Sequence, residues 1–446
     1  MKTKEKNENK GALRRLGLIV ILVMVMLTAC DSLPFELRMP WAQSTPGVPV
    51  AVEKTPQPKL TSTAEPAVEE TVTPSLNPDK LILWLPPELD PYQETESGKI
   101  LLAKLNAFAN ANKVEITVRI KAQTGAGSLT DSLTATRAAV PEILPDLILL
   151  SAPDLALASR RNLIYANQGL NDILDGVDWY PLARQMSSID GEVLAVPLFV
   201  DPYAMVYNAA SQLPPSNEWN QIHKNFGIFG FAADDPLGKF LLLQYMAAEG
   251  KVADGQGHAL LEEAPLIEAL QVLKDSLNTR HINSLSLGYQ NDGQVWQSFL
   301  DRNLDTAIVP VSMVLAHSMD NNEQPEAAMT EATFTIGSAS AWALANPDTG
   351  RQALALKLLE ELMQTEFLAR WSESMHLLPS KPTALGSWTE PKLKPALEKI
   401  AQAVALLPED TVLNKLGPIL RNATLLILRD GGNVVETARQ AIESVK

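Results

Sequence analysis

Apolar and polar positions follow two different periods in the first folded part of the chain. Leu81–Leu85 is a continuous apolar run, which is typical of a buried strand. Lys99–Asn110 repeats apolar residues at helical spacing, and Val114–Ile120 alternates as a half-buried strand does. A helix over 129–139 and a buried strand over Leu147–Leu150 follow. This β-α-β-α-β order predicts an α/β fold with a mainly parallel sheet and helices on both faces.

The carboxyl ends of such strands are where ligands of open α/β sheets bind. We therefore expect the ligand site beside Pro86–Tyr92 and Ser151–Asp154, which follow two of the predicted strands. Further strands are predicted near 193–200, 203–207, 305–311 and 333–344. Helices are predicted near 236–249, 264–278, 292–301, 351–374, 392–405, 410–416, 418–428 and 433–445. Gly417-Pro418 separates two of these helices, because glycine suits a helix end and proline a first turn.

The N-terminus has a basic head followed by the apolar run Leu16–Leu27. These twelve residues are fewer than the roughly 20 that a membrane-spanning helix needs, so the segment is typical of a secretory signal. The run ends in Leu27-Thr-Ala-Cys30, which resembles the lipobox of bacterial lipoproteins. The resemblance implies a signal peptide over 1–29, cleavage before Cys30 and lipid attachment to that cysteine. An incidental cysteine in an uncleaved anchor is the alternative.

Proline, serine and threonine dominate the next segment, residues 30–78. Between positions 31 and 78 there are nine prolines and ten serines or threonines. Proline removes backbone donors, and the few apolar residues recur with no period, so a packed core is not expected here. We predict a disordered tether behind the lipidated cysteine, with an extra small domain as the alternative.

Composition and charge narrow the class of protein. The chain has 446 residues, is 46% hydrophobic and carries a net charge of -15. Removing residues 1–29 leaves 31 basic and 50 acidic side chains, a mature charge of -19. Such a chain lacks the clustered cations that bind nucleic acid or anionic lipid, so no nucleic-acid partner is expected and the lipid must provide membrane attachment. The single cysteine excludes an intramolecular disulfide and a cysteine-only zinc site.

Catalytic signatures are absent from the sequence. It contains no phosphate-binding Gly-x-x-x-x-Gly-Lys-Ser/Thr loop, no His-Glu-x-x-His and no Gly-x-Ser-x-Gly. The five histidines are scattered along the chain. We therefore predict no enzyme, no cofactor and no metal. A pair of carboxylates for glycoside cleavage stays open, because their spacing is a property of the fold.

Three segments in order resemble the extracellular solute-binding proteins of ABC importers, in the class that includes maltose-binding and other carbohydrate-binding members. They are Pro145–Leu150, Asp190–Asn208, and Ala353–Trp371 followed by Leu378-Pro-Ser-Lys381. The resemblance runs from about residue 79 to the C-terminus. It implies the two-lobe periplasmic-binding-protein fold, also called a Venus flytrap, with three crossings between the lobes. It also implies a solute-filled cleft that closes by hinge motion, a monomeric receptor, and an ABC permease as partner.

Transferred to this chain, the resemblance assigns lobe 1 to residues 79–199 plus 333–376. Lobe 2 comprises 203–330 plus 378–446, and Phe199–Pro202 forms the first crossing. Sugars require carboxylates or amides for their hydroxyls and flat apolar groups for their faces. The candidate ligand contacts implied are Glu88, Asp154, Asp201, Tyr203, Trp342 and Trp371.

Each candidate contact has an alternative role. The three acids could be solvated loop residues, and the three aromatic residues could pack in the core. One departure from the maltose-type pattern bears on the ligand: Val311–Val314 and Leu416–Leu428 contain no aromatic residue where such proteins place stacking rings. The sequence thus predicts a lipid-anchored extracytoplasmic receptor for a small polar solute, with a sugar or oligosaccharide as the leading class. The alternatives are a two-lobe sensory or structural lipoprotein without a transported ligand, and a surface glycoside hydrolase.

Overall fold

A computed structural model describes residues 80–446, apart from 211–213, 225–226, 283, 321–325 and 390–391. The predicted signal peptide, the lipidation site at Cys30 and the predicted tether up to residue 78 lie outside the described residues. Within the described residues, no helix combines the length and the apolar character needed to cross a bilayer.

The strands and helices alternate through the first part of the chain, as the sequence predicts. The strands are β1 (Lys80–Leu85), β2 (Glu115–Ile120), β3 (Leu147–Ser151), β4 (Ser188–Ile189), β5 (Glu192–Val193), β6 (Ala195–Asn208), β7 (Phe229–Gly230), β8 (Thr306–Pro310), β9 (Ala327–Met329), β10 (Thr335–Leu344), β11 (Leu378–Pro379) and β12 (Val404–Leu406). The first helices are α1 (Glu96–Asn112), α2 (Leu129–Ala139), α3 (Ala152–Arg160), α4 (Gln168–Leu174) and α5 (Pro181–Ser187). The later helices are α6 (Lys239–Ala247), α7 (Glu263–Asn278), α8 (Asp292–Leu300), α9 (Val311–Asp320), α10 (Thr349–Leu362), α11 (Thr365–Met375), α12 (Pro382–Gly386), α13 (Lys394–Ala403), α14 (Asp410–Asp430) and α15 (Val434–Val445).

The main sheet is mixed, in the order β2-β1-β3-β10-β6-β8-β7. Strands β1, β2 and β3 are parallel, which confirms the predicted arrangement of the N-terminal part. Strand β10 is antiparallel to both β3 and β6, and β6 is antiparallel to β8. The sheet is therefore less parallel overall than the β-α-β order of the first segments predicts.

Strand β6 runs unbroken through the whole predicted first crossing. Its first half pairs with β10, and its second half pairs with β8 and β9. We predicted two strands here, because Pro202 interrupts the apolar run. The strand continues because Gly337 on β10 lets the backbones approach closely: a Cβ at that glycine would lie 2.7 Å from the Pro202 Cα.

Helices cover both faces of the sheet. Leu81, Leu83 and Leu85 pack on one face with α1 and α10, whereas Ile82 and Trp84 pack on the other. A separate cluster lies against one face of the second half of β6, through Tyr203 and Met205, and there α6, α7, α14 and α15 bury their apolar stripes. Ala204 and Val206 belong to the first cluster, which therefore continues along the other face of this half of the strand.

Two helix predictions are wrong in where a helix ends. The predicted helix over 351–374 is two helices, because the backbone of Gln364 is extended. Helix α14 continues through Gly417-Pro418, where we predicted a break. The strand predicted near 305–311 ends at Pro310, and Val311–Val314 is the first turn of α9, a helix for which no prediction was made.

Candidate ligand-binding cleft

A pocket of about 210 Å³ lies beyond the carboxyl ends of β1 and β3, beside the paired strands β6 and β10 at the predicted first crossing. Both loops that the sequence singled out, after β1 and after β3, contribute to its wall. Its polar lining consists of Glu88, Gln123, Ser151, Asp154, Asp201, Ser338 and Ser340. Its apolar lining consists of Pro86, Leu89, Leu129, Leu149, Leu150, Phe199, Val200, Ala339, Met375 and Leu377. The structure therefore brings the three candidate acids together around one cavity.

Asp154 lies in the first turn of α3, rather than in a loop as predicted, because Ser151 begins the helix. The Ser151 Oγ accepts a hydrogen bond from the Asp154 backbone N–H at 3.3 Å and donates one to the Asp154 Oδ2 at 2.7 Å. Thr130 donates from its Oγ1 to the Asp154 Oδ1 at 2.6 Å. Both carboxylate oxygens thus have a partner from the protein, and the charge lies at the positive end of α3.

Asp201 connects strand β6 to the start of α9. Its Oδ1 accepts a hydrogen bond from the Ser312 backbone N–H at 3.0 Å, and its Oδ2 accepts one from the Ser312 Oγ at 2.7 Å. Burial raises the pKa of Asp201 to about 6, and the nearby carboxylate of Asp292 adds to the rise. The two bonds from Ser312 and the ammonium of Lys239 act in the opposite direction. Desolvation is the dominant effect on this acid.

Glu88 is exposed, in a 3₁₀ turn between Pro87 and Leu89. Its Oε2 accepts a hydrogen bond from the Gln123 Nε2 at 3.2 Å, which joins the loops after β1 and β2 at the rim of the pocket. Of the three candidate acids, Glu88 has the fewest bonds to the rest of the protein. It is therefore the one whose charge is most available to a solute.

Tyr203 belongs to a polar cluster beneath the crossing and does not line this pocket. Its hydroxyl donates to the Asp292 Oδ2 at 2.5 Å, and the Lys239 Nζ lies 2.7 Å from the same oxygen. The Lys239 Nζ is also 5.3 Å from the centre of the Tyr203 ring and 3.8 Å from the Asp235 Oδ2. Burial and the neighbouring Asp292 hold the pKa of Tyr203 well above its usual value. Tyr203 is thus a buried hydrogen-bond donor on the second half of β6.

The two candidate tryptophans, Trp342 and Trp371, are both 0% exposed. Trp342 lies on β10, which pairs with strands on both sides and is covered on both faces. The ring of Trp371 packs edge-on against Phe199, with the ring centres 5.0 Å apart. Because Phe199 lines the pocket, Trp371 supports the pocket wall from beneath. Neither tryptophan lines the cavity, because both side chains are buried in the hydrophobic core.

Several pocket residues have no signal in the sequence. Ser338 and Ser340 lie on β10, Met375 is the last residue of α11 and Leu377 follows that helix, all far along the chain from the first strands. Asp410 begins α14, and partial burial together with the carboxylates of Asp154 and Glu409 raises its pKa. The sequence indicates only that Asp410 lies at the start of a helix, and this position does not predict that the residue is near Asp154.

The surroundings of Asp201 bear on the glycoside-hydrolase alternative in two opposite ways. The raised pKa of Asp201 meets one requirement of a general acid. Both of its oxygens, however, accept bonds from Ser312, and this arrangement stabilises the charged carboxylate rather than a proton donor. Within the part of the chain that the structure describes, no group of acids, histidines or cysteines could hold a metal ion.

Comparison with known proteins identifies one family and one fold. Residues 103–396 match the family described as bacterial extracellular solute-binding protein. No curated protein sequence matches the chain significantly. The sugar-binding protein MalE from Xanthomonas citri superposes with a TM-score of 0.66 at 15% identity, over 82% of this chain and 96% of that one.

Two further solved structures are similar to the same extent. The extracellular solute-binding protein from Staphylococcus aureus, in complex with maltose, gives a TM-score of 0.65 at 14% identity, over 83% of this chain and 97% of that one. A cyclo/maltodextrin-binding protein complexed with maltotetraose gives the same values, 0.65, 14%, 83% and 97%. At these identities the likeness shows the fold: the predicted two-lobe α/β class, with a mixed sheet flanked by helices, is confirmed.

Proposed function

Since the chain belongs to the bacterial extracellular solute-binding protein family, we propose that it is a lipid-anchored receptor that captures a small polar solute for an ABC importer. The family places the protein outside the cytoplasm. The leading class of solute is a sugar or oligosaccharide. The similar solved structures support this class, since one is a sugar-binding protein and the other two were solved in complex with maltose or maltotetraose.

The observation that carries the proposal is the pocket beside the crossing. Its volume of about 210 Å³ is below the roughly 300–1,000 Å³ of pockets for drug-sized ligands, which favours a small solute. Its wall combines carboxylates, an amide and serine hydroxyls with an apolar floor. This mixture of hydrogen-bonding groups and apolar surface is what a sugar ring requires.

The candidate residues take different roles in this proposal. Glu88, Asp154 and Asp201 contact the solute, because each of them lines the pocket. Tyr203, Trp342 and Trp371 fix the shape of the walls from the core. We also propose the predicted lobe boundaries, with the middle of β6 as the hinge strand whose bending closes the cleft and presents the closed form to a permease.

A panel of sugars, amino acids, peptides and polyamines tests the proposal through thermal melts and tryptophan fluorescence of the purified full chain. A bound solute at about 100 times its dissociation constant adds roughly 2.7 kcal/mol to the free energy of unfolding. Ser338→Trp should abolish the response, because the exposed Ser338 lines the pocket and a tryptophan there would fill it. Ser444→Trp, on the exposed side of α15, is the matched control and should respond normally.

The same samples separate the alternatives. If no solute in the panel shifts the melting temperature, the transport proposal is wrong and a ligand-free structural role takes its place. If a chromogenic glycoside is turned over, and Asp201→Asn abolishes the turnover, the protein is a hydrolase. We expect a stabilising solute and no turnover.

A further inference from the structure

Three helices begin beside the pocket, and each already has a carboxylate of the protein at its positive end. Asp154 lies in the first turn of α3, and Asp201 accepts both hydrogen bonds from Ser312 at the start of α9. Asp410 is the first residue of α14, and its pKa is raised in part by Asp154. Helix N-termini ordinarily attract anions, because their unpaired N–H groups and dipoles carry partial positive charge. In this cleft the protein's own acids have taken the positions that an anionic solute would use.

The rest of the pocket adds no positive charge. Its lining contains no lysine, arginine or histidine, whereas Glu88, Asp154 and Asp201 all belong to it. Nearby cations have other partners: the Lys239 Nζ is 2.7 Å from Asp292, and the Arg160 Nη1 is 2.6 Å from Glu409. The carboxylates of the pocket therefore have hydrogen-bond donors but no paired cation among the lining residues.

We propose that the solute of this pocket carries a protonated amino group, and that it is an amino sugar rather than a neutral or acidic one. The inference rests on the proposed function and specifies its solute class. An ammonium group offers three donors and a positive charge, which complements a wall of acceptors with negative charge. The amide of Gln123 and the hydroxyls of Ser338 and Ser340 suit the remaining sugar hydroxyls.

The apolar lining of the pocket suits a solute with a compact sugar ring. Leu89, Met375 and Leu377 provide aliphatic surface, and the lining contains a single aromatic residue, Phe199. A neutral oligosaccharide depends on stacking against several rings, which this lining does not offer. Charge pairing with the acids takes over part of the binding that stacking provides elsewhere. This explains why the sequence lacks aromatic residues at Val311–Val314 and Leu416–Leu428.

Matched pairs of sugars, in which amino groups replace the 2-hydroxyls of the neutral member, test the inference by calorimetry on the full chain near neutral pH. The pairs are glucose with glucosamine, galactose with galactosamine, and cellobiose with chitobiose. For at least one pair we expect the amino member to bind about tenfold tighter or more, as one charge-assisted hydrogen bond provides. Its affinity should fall as salt is added, because part of the attraction is between exposed charges.

Glu88→Gln is the diagnostic variant, since it removes a charge at the rim without changing the size of the side chain. It should weaken binding of the amino sugar about tenfold and leave any binding of its neutral partner unchanged. Glu443→Gln, an exposed acid on α15, is the control and should change neither.

The possible results are distinguishable. If the neutral member of a pair binds as tightly as the amino member, or if only an unrelated solute of the wider panel binds, this inference is wrong and the proposed function stands. If no solute of either set binds, both are wrong. Tighter binding of the amino sugar that Glu88→Gln leaves intact also overturns the assignment to this pocket.

Discussion

At the scale of single residues, Asp201 is the acid whose surroundings differ most from those of a surface carboxylate. Its position after a predicted strand identified it as a cleft residue, and it does line the pocket. The sequence could not show that Ser312 satisfies both of its oxygens, because the two residues are 111 positions apart. The same holds for Asp154, whose partner Thr130 lies on another helix. Local position identified the acids, but only the tertiary structure shows their partners.

The raised pKa of Asp201 predicts how stability depends on pH. The pKa is about 6 in the folded state, against an ordinary value of 3.8, so the folded protein binds this proton more tightly than the unfolded chain. The free energy of unfolding therefore falls as the pH rises from about 4 to about 6, and the loss persists above that range. Asp201→Asn removes the loss, because asparagine stays neutral. We expect it to add about 1–3 kcal/mol near neutral pH and to make little difference below about pH 4.

Urea unfolding across this pH range measures the effect. Asp175→Asn, an exposed acid after α4, is the control and should not show the same dependence. If Asp201→Asn lowered stability equally at all pH values, the hydrogen bonds from Ser312 would outweigh the cost of burying the charge. Desolvation would then not be the dominant effect on Asp201.

At the scale of elements, apolar periodicity predicts a helix or strand correctly where local sequence signals, such as a capping residue, set its bounds. Helix α2 has the predicted bounds, 129–139. Ser128 caps its N-terminus, and the Ser128 side chain accepts a hydrogen bond from the Asp131 N–H. Periodicity fails where packing overrides a local signal. Strand β6 passes through Pro202, and α14 passes through Gly417-Pro418. In α14 the buried positions Leu413, Leu416, Leu420 and Ile427 form one stripe across the proline, so both halves stay aligned against the same core.

Gly417 allows α14 to pack closely against a neighbouring segment, a role that its prediction as a helix end does not include. A Cβ at this position would lie 2.7 Å from the Leu237 Cα and 2.8 Å from the Pro236 carbonyl oxygen. Because these contacts are with backbone, a rotamer change cannot relieve them. We expect Gly417→Ala to lower the free energy of unfolding by about 1–3 kcal/mol, as overpacking does, although alanine is the better helix former.

Gly386, at the end of α12, is the matched control for this prediction. A Cβ there would meet no atom within 4 Å, and its backbone has an ordinary conformation. Gly386→Ala should be neutral or stabilising by up to about 1 kcal/mol, because it reduces the freedom of the unfolded chain. Chemical denaturation of both variants decides the matter. Equal stability of Gly417→Ala and the parent would mean that α14 can move away from the Pro236–Leu237 segment at no cost.

At the scale of the whole molecule, the order of segments carried more information than any single motif. The three segments that resemble the family fall on β3, on β6 and its preceding turn, and on α10, α11 and β11. All three lie near the crossing, where β10, β6 and β11 pair side by side. The pocket draws on six stretches of chain that are distant in sequence, so its full lining could not be predicted. The fold class can be predicted from the order of the segments and their apolar periods, whereas the site depends on which strand ends lie close together in the folded chain.

The attachment of the molecule to a membrane is the remaining prediction of the sequence, and charge makes it testable. A mature chain with 31 basic and 50 acidic side chains would be repelled by anionic lipid, so the prediction assigns attachment to acyl chains on Cys30. One acyl chain binds only marginally, and stable anchoring needs more than one. In a bacterial host that processes lipoproteins, the parent and a Ser32→Ala control should incorporate labelled palmitate and sediment with membranes, resistant to high salt and released by detergent. Cys30→Ser should lose the label and leave the membrane fraction. If it stays there unlabelled, the run Leu16–Leu27 is an uncleaved anchor and the lipobox interpretation is wrong.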